Sequence, residues 1–268
     1  MEKISVAISN KGAVLTGYIH DRSTEMPHRH NRPAIIICPG GGYSFVSERE
    51  SDPVALSFLA QGYQAFILRY SVEEQARELQ PLIELSTAMM LLRENNEQWN
   101  IDPDKIAVCG FSAGGHLAGS LGVLWNHEQL QLKLDTKGGL NKPNALILAY
   151  PVITSGEYAH RGSFYNLTGY DYDEENNRFY SLEKRVSEQT PPTFIWHTGE
   201  DDLVPIENSL LFIAALRRAG IPFEAHLYEK GHHGLSMCNE EVGERMSHCG
   251  TWFQLAVHWL NEQFQFSA

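Results

Sequence analysis

Apolar positions in this chain come in short continuous runs separated by segments of helical spacing. Residues 34–38 (Ala-Ile-Ile-Ile-Cys) stop at Pro39-Gly40-Gly41-Gly42, and residues 63–68, 106–109, 145–150, 193–197 and 223–228 form further runs. A run of four to six apolar residues that ends in glycine or a polar turn predicts a strand buried on both faces, as in a parallel sheet. Between them, residues 52–61, 82–97, 113–125, 208–219 and 252–264 carry helical spacing. Two earlier runs, 4–8 and 14–19, flank Ser9-Asn10-Lys11-Gly12-Ala13 and predict an N-terminal hairpin. Strands alternating with helices imply right-handed crossovers and an α/β domain, with a mostly parallel central sheet and helices on both faces. No G-x-G-x-x-G follows the first buried strand, which argues against a dinucleotide-binding fold.

The alternation fails once. Residues 151–191 show little periodicity, and a loop that long inside a compact domain predicts a functional segment or a small cap. Within it stand Tyr158, Phe164, Tyr165, Tyr170, Tyr172, Phe179 and Tyr180. Tyrosines with polar neighbours suit stacking on a sugar or another polar alcohol, whereas a lid for a long acyl chain calls for an apolar amphipathic helix. Tyr158 and Tyr165 are therefore candidate substrate contacts, as are Tyr43 and Phe111 beside the motifs below.

The 268 residues read as one domain, residues 1–268, with the cap inserted in it. An apolar fraction of 43% and a charged fraction of 20% are ordinary for a globular protein. The net charge of −12 argues against nucleic-acid or anionic-membrane partners, which call for a basic face. No signal-peptide pattern opens the sequence and no apolar stretch approaches a membrane span, so the cytoplasm is the expected location. Cys38, Cys109, Cys238 and Cys249 fit no CxxC spacing and are expected as free thiols. Cys38 and Cys109 end neighbouring strands, so close sulfurs there could link by oxidation and strain the motifs above them. His28-Arg29-His30 reads as a solvated loop, and no metal or cofactor is expected. A homo-oligomer stays open.

The chemistry begins at Gly110-Phe111-Ser112-Ala113-Gly114-Gly115, a G-x-S-x-G directly after a strand and opening a helix. Such a turn projects the serine hydroxyl above the sheet with a helix N-terminus behind it, which favours developing negative charge. A serine needs a base to become a nucleophile. His233, in Lys230-Gly231-His232-His233-Gly234 after the last strand, is the candidate, with His232 as its rival. A carboxylate should orient that imidazole, and chain order places it between serine and histidine. Glu200, Asp201 and Asp202 all qualify. Pro39-Gly40-Gly41-Gly42-Tyr43 supplies bare backbone after an earlier strand, so the amides of Gly41, Gly42 and Ala113 are candidates for an oxyanion hole.

With these segments in this order the chain resembles the α/β-hydrolase superfamily and, within it, the bacterial acetyl-esterase branch called acetylxylan-esterase-like. The resemblance extends through Glu48-Arg49-Glu50, His116-Leu117-Ala118, Pro191–Thr198 and Val204–Ser209. It implies a Ser112–His233–Asp201 triad, because the aspartate of such proteins stands four residues before the Val-Pro proline and the histidine precedes the glycine of Gly-x-His-Gly. His232 replaces the usual small residue, and the acidic triplet leaves Asp202 as an alternative. The implied activity is hydrolysis of short-acyl esters of small molecules, carbohydrates among them. Two competing readings are an amidase or peptidase using the same triad, and a non-catalytic binding module on the same scaffold.

Overall fold

A computed structural model describes residues 1–26, 29–171 and 177–266; His28 and Tyr172 lie outside them. Among the described residues eight strands form one sheet: β1 (Glu2–Ala7), β2 (Val14–Ile19), β3 (Arg32–Cys38), β4 (Gln64–Arg69), β5 (Ile101–Phe111), β6 (Ala145–Ala149), β7 (Thr193–Thr198) and β8 (Phe223–Tyr228). Their order across the sheet is β1-β2-β4-β3-β5-β6-β7-β8. The predicted hairpin β1–β2 is antiparallel, β2 meets β4 antiparallel, and every later pairing is parallel.

The continuous apolar runs resolve into two alternating sets. On one face Ile36, Leu68, Val108, Leu146 and Ile195 pack under α2 (Gln80–Glu94), α4 (Ala113–Leu124) and, farther along the chain, α7 (Glu207–Ala219). On the other face Ile35, Ile37, Phe111, Ile147 and Trp196 pack under α1 (Asp52–Ala60) and α8 (Thr251–Phe264). Each such side chain, when fully buried, contributes on the order of 1.5–3 kcal/mol, so the two layers fix the register of the central strands. Short helices α3 (Asn96–Trp99) and α5 (Glu128–Gln131) lead into and away from the central β5–α4 unit. No helix among the described residues is long and apolar enough to cross a membrane.

The segment expected to be irregular contains α6 (Arg161–Thr168), which starts at an N-cap histidine, His160, and stops at Gly169 in the left-handed conformation. Its inner side buries Phe164 and Leu167. Eight residues hold too few repeats for their periodicity to be read from the sequence.

The four cysteines are free thiols, and the register of β3 on β5 sets where the two strand-end ones point. Cys109 pairs with Ile37, and Cys38 pairs with Gly110. That offset of one residue points the two side chains to opposite faces, Cys38 into the layer under α4 and Cys109 into the layer under α8. Burial pushes both thiols well above the usual range. Treatment with a thiol oxidant, followed by mass mapping of the folded protein, should therefore recover no Cys38–Cys109 link; finding that link would show the register of β3 on β5 to be different.

Candidate active site

The turn between β5 and α4 is made by backbone meeting backbone. A Cβ on Gly114 would collide with the carbonyl oxygens of Cys38 and Pro39, and one on Gly110 would collide with the Gly114 carbonyl and Ala118. Only glycine at both positions lets the end of β3 and the start of α4 come this close. Between them Ser112 takes φ 53°, ψ −119°, a conformation costing about 1–3 kcal/mol for a residue with a side chain. The neighbouring chain holds it there: Ser112 N–H donates to the Ala149 carbonyl at 3.0 Å, and its own carbonyl accepts from Val152 and His116.

Above the turn, Ser112 Oγ lies 2.8 Å from His233 Nε2, and His233 Nδ1 lies 2.6 Å from Asp201 Oδ2. A carboxylate opposite Nδ1 places the ring hydrogen there and leaves the Nε2 lone pair facing the hydroxyl. Asp201 is fully enclosed. Its Oδ1 accepts from the amides of Leu203 and Val204, and its Oδ2 also faces His197 Nε2 at 3.1 Å. Burial would raise this carboxyl, but the hydrogen bonds from His197 and His233 outweigh it and hold the group well below the usual carboxylate range. His232 turns outward, with Nδ1 at 2.7 Å from the His233 carbonyl and an exposed ring. Asp202 is exposed, and the Glu200 carboxylate accepts from Gly231 N–H. Of the alternatives, then, the structure brings Asp201 and His233 to Ser112.

The glycine loop is anchored from below by Glu50. This buried carboxylate accepts from Gly40 N–H and from the Tyr150 hydroxyl, both at 2.7 Å, and that hydroxyl accepts from Ser236 N–H. The ring of Tyr150 stands edge-on to His233 with centroids 5.0 Å apart. One buried acid thus ties the loop to the segment that carries the histidine. Gly41 (φ 123°) and Gly42 (φ 63°) then turn the chain at the rim of a cavity of about 310 Å³. Ser112 and His233 lie at its floor, and Phe45, Leu203 and His160 stand on its walls.

The four proposed substrate contacts do not line this cavity. Tyr43 is buried, its hydroxyl 2.9 Å from His116 Nδ1, and burial pushes that imidazole down to about 4. Phe111 packs against Tyr150 and Trp252 on the far side of the sheet. Tyr158 meets Asn208 through its carbonyl, and Tyr165 faces a separate small hollow. Alternation along the strand sends Phe111 inward, and nothing in the local pattern revealed which side of the loop Tyr43 would face. Sequence reasoning missed Glu50, His197, His160 and Asn166, whose Nδ2 donates to the Gly42 carbonyl at 2.9 Å. Among the described residues no group of three or more His, Cys, Asp or Glu is placed to hold a metal ion.

A family model described as BD-FAE matches residues 23–216. The chain belongs to the BD-FAE family. An endo-1,4-beta-xylanase B of Butyrivibrio fibrisolvens is 38% identical over 232 residues, 85% of this chain and 35% of that protein. An acetylxylan esterase of Xylanibacter ruminicola is 30% identical over 235 residues, 85% of this chain and 44% of that protein. The chain thus spans less than half the length of these two relatives. The crystal structure of an acetyl ester-xyloside bifunctional hydrolase from Caldicellulosiruptor lactoaceticus superposes with a TM-score of 0.82 at 36% identity, covering 96% of this chain and 90% of that one. By fold and family the chain is an α/β-hydrolase.

The depressed Asp201 carboxyl has a consequence for stability. A group whose folded value lies below its unfolded value of about 3.9 stabilises the fold fully above that pH and loses its contribution as pH falls. The gap in urea midpoint between wild type and Asp201→Asn should hold steady from pH 7 to about pH 5 and narrow below about pH 4. A gap that widens in acid would contradict the ionised, hydrogen-bonded carboxylate.

Proposed function

We propose that this α/β-hydrolase is a serine carboxylesterase acting on short-acyl esters, acetyl esters of carbohydrates among them. The observation that carries the reading is the unbroken line from Ser112 Oγ through His233 to Asp201 at the floor of an open cavity. His233 takes the Ser112 proton as the hydroxyl attacks the ester carbonyl, and Asp201 stabilises the imidazolium that forms. The oxyanion rests on the backbone amides of Gly41 or Gly42 and of Ala113, each such donor typically worth about 10²–10³ in rate. His233 then returns the proton to the departing alcohol. Water repeats the sequence on the acyl-enzyme.

A cavity of about 310 Å³ falls at the small end of ligand pockets, which favours a short acyl group. The carbohydrate side rests on the names of two relatives, an acetylxylan esterase and an acetyl ester-xyloside hydrolase.

4-Nitrophenyl esters from acetyl to octanoyl test the proposal. Turnover should be fastest with acetyl and fall with chain length, and Ser112→Ala should abolish it. Asp201→Asn should lower kcat by about 10⁴, as loss of an orienting carboxylate does elsewhere, whereas Asp202→Asn should stay near wild type. Equal rates in wild type and Ser112→Ala would remove Ser112 from the chemistry.

A further inference from the structure

The cap carries one imidazole that this chemistry leaves unused. His160 caps α6: its Nδ1 lies 3.3 Å from the Ser163 amide nitrogen and 2.8 Å from Ser163 Oγ. A backbone N–H can only donate, so Nδ1 must present its lone pair. The single hydrogen of the neutral ring is therefore on Nε2. Burial lowers the affinity of the ring for a second proton.

That second nitrogen has no protein partner among the described residues, and the ring lines the same cavity as Ser112. Its Cε1 edge faces the glycine loop, at 3.8 Å from where a Cβ on Gly42 would stand. The helix that His160 caps is itself fastened to that loop by Asn166, through the Gly42 carbonyl. Capping therefore fixes the tautomer, and the Asn166 bond fixes the distance to the reacting centre.

We propose that His160 is a specificity residue whose Nε2–H donates to a substrate oxygen beside the scissile ester, as a hydroxyl or ring oxygen of a partly acetylated sugar provides. This inference rests on the serine-esterase reading of the cleft. The ester carbonyl oxygen is already served by the backbone amides of the oxyanion site, so a further fixed donor on the cavity wall calls for a second acceptor. A donor enclosed by bound ligand without an acceptor is costly, which turns the same N–H into discrimination against alcohols lacking that oxygen.

The test compares two substrates in one variant. His160→Ser keeps a good N-cap for α6 but lacks a donor long enough to enter the cavity. The ratio of kcat/KM on a monoacetylated methyl xyloside to kcat/KM on 4-nitrophenyl acetate should fall about 2- to 13-fold, the span of one neutral hydrogen bond. A loss of folded enzyme scales both rates alike and cannot move that ratio. An unchanged ratio would overturn the inference, as would wild-type enzyme that cleaves the aryl ester and ignores the sugar acetate. The serine-esterase reading is judged separately, by whether aryl-ester turnover disappears in Ser112→Ala.

Discussion

The top of this molecule depends on a single close contact, the main chain of Cys38–Pro39 pressed against the main chain of Gly114. With a side chain there, β3 and α4 would move apart. The strain at Ser112, about 1–3 kcal/mol, is modest beside the burial of β5, where several side chains each contribute about as much. The core therefore holds the serine in a conformation it would not adopt alone.

Two buried acids divide the remaining work. Glu50 holds the loop, and Asp201 holds the histidine. An ionised group inside a protein is tolerable only when its oxygens are hydrogen-bonded. Asp201 meets that demand with two histidines and two amides, and Glu50 accepts from an amide and a phenol. His197, fully buried behind Asp201, faces both the carboxylate and the Val204 carbonyl through Nε2, which must therefore carry hydrogen. The orientation of Asp201 is thus set from behind as well as by His233 in front.

What could be read from the sequence was whatever is written locally. Runs such as 34–38 and 145–150 mark buried strands because both neighbouring layers demand apolar residues, and G-x-S-x-G is legible because the turn admits so little else. Facing is written elsewhere. Whether Tyr43 looks into the cleft or into the core depends on His116, far along the chain, and whether Cys38 meets Cys109 depends on the register between β3 and β5. Glu50 gave no local sign of its role, since its partners Gly40 and Tyr150 are joined to it only by folding. The helix α6 went unread for a related reason: eight residues capped by a histidine carry no strong periodic signal.

The strand β8 leads to the loop bearing His233, and it forms one edge of the sheet. Most of its residues are only half-buried, whereas β7 beside it is buried throughout. Edges of this kind open at a lower free energy than the body of a domain. Ser112 directly follows the buried end of β5, and its partner hangs from one of the least enclosed strands. Mild denaturant or moderate heat would therefore detach His233 while Ser112 is still in place, and the two would part ahead of global melting.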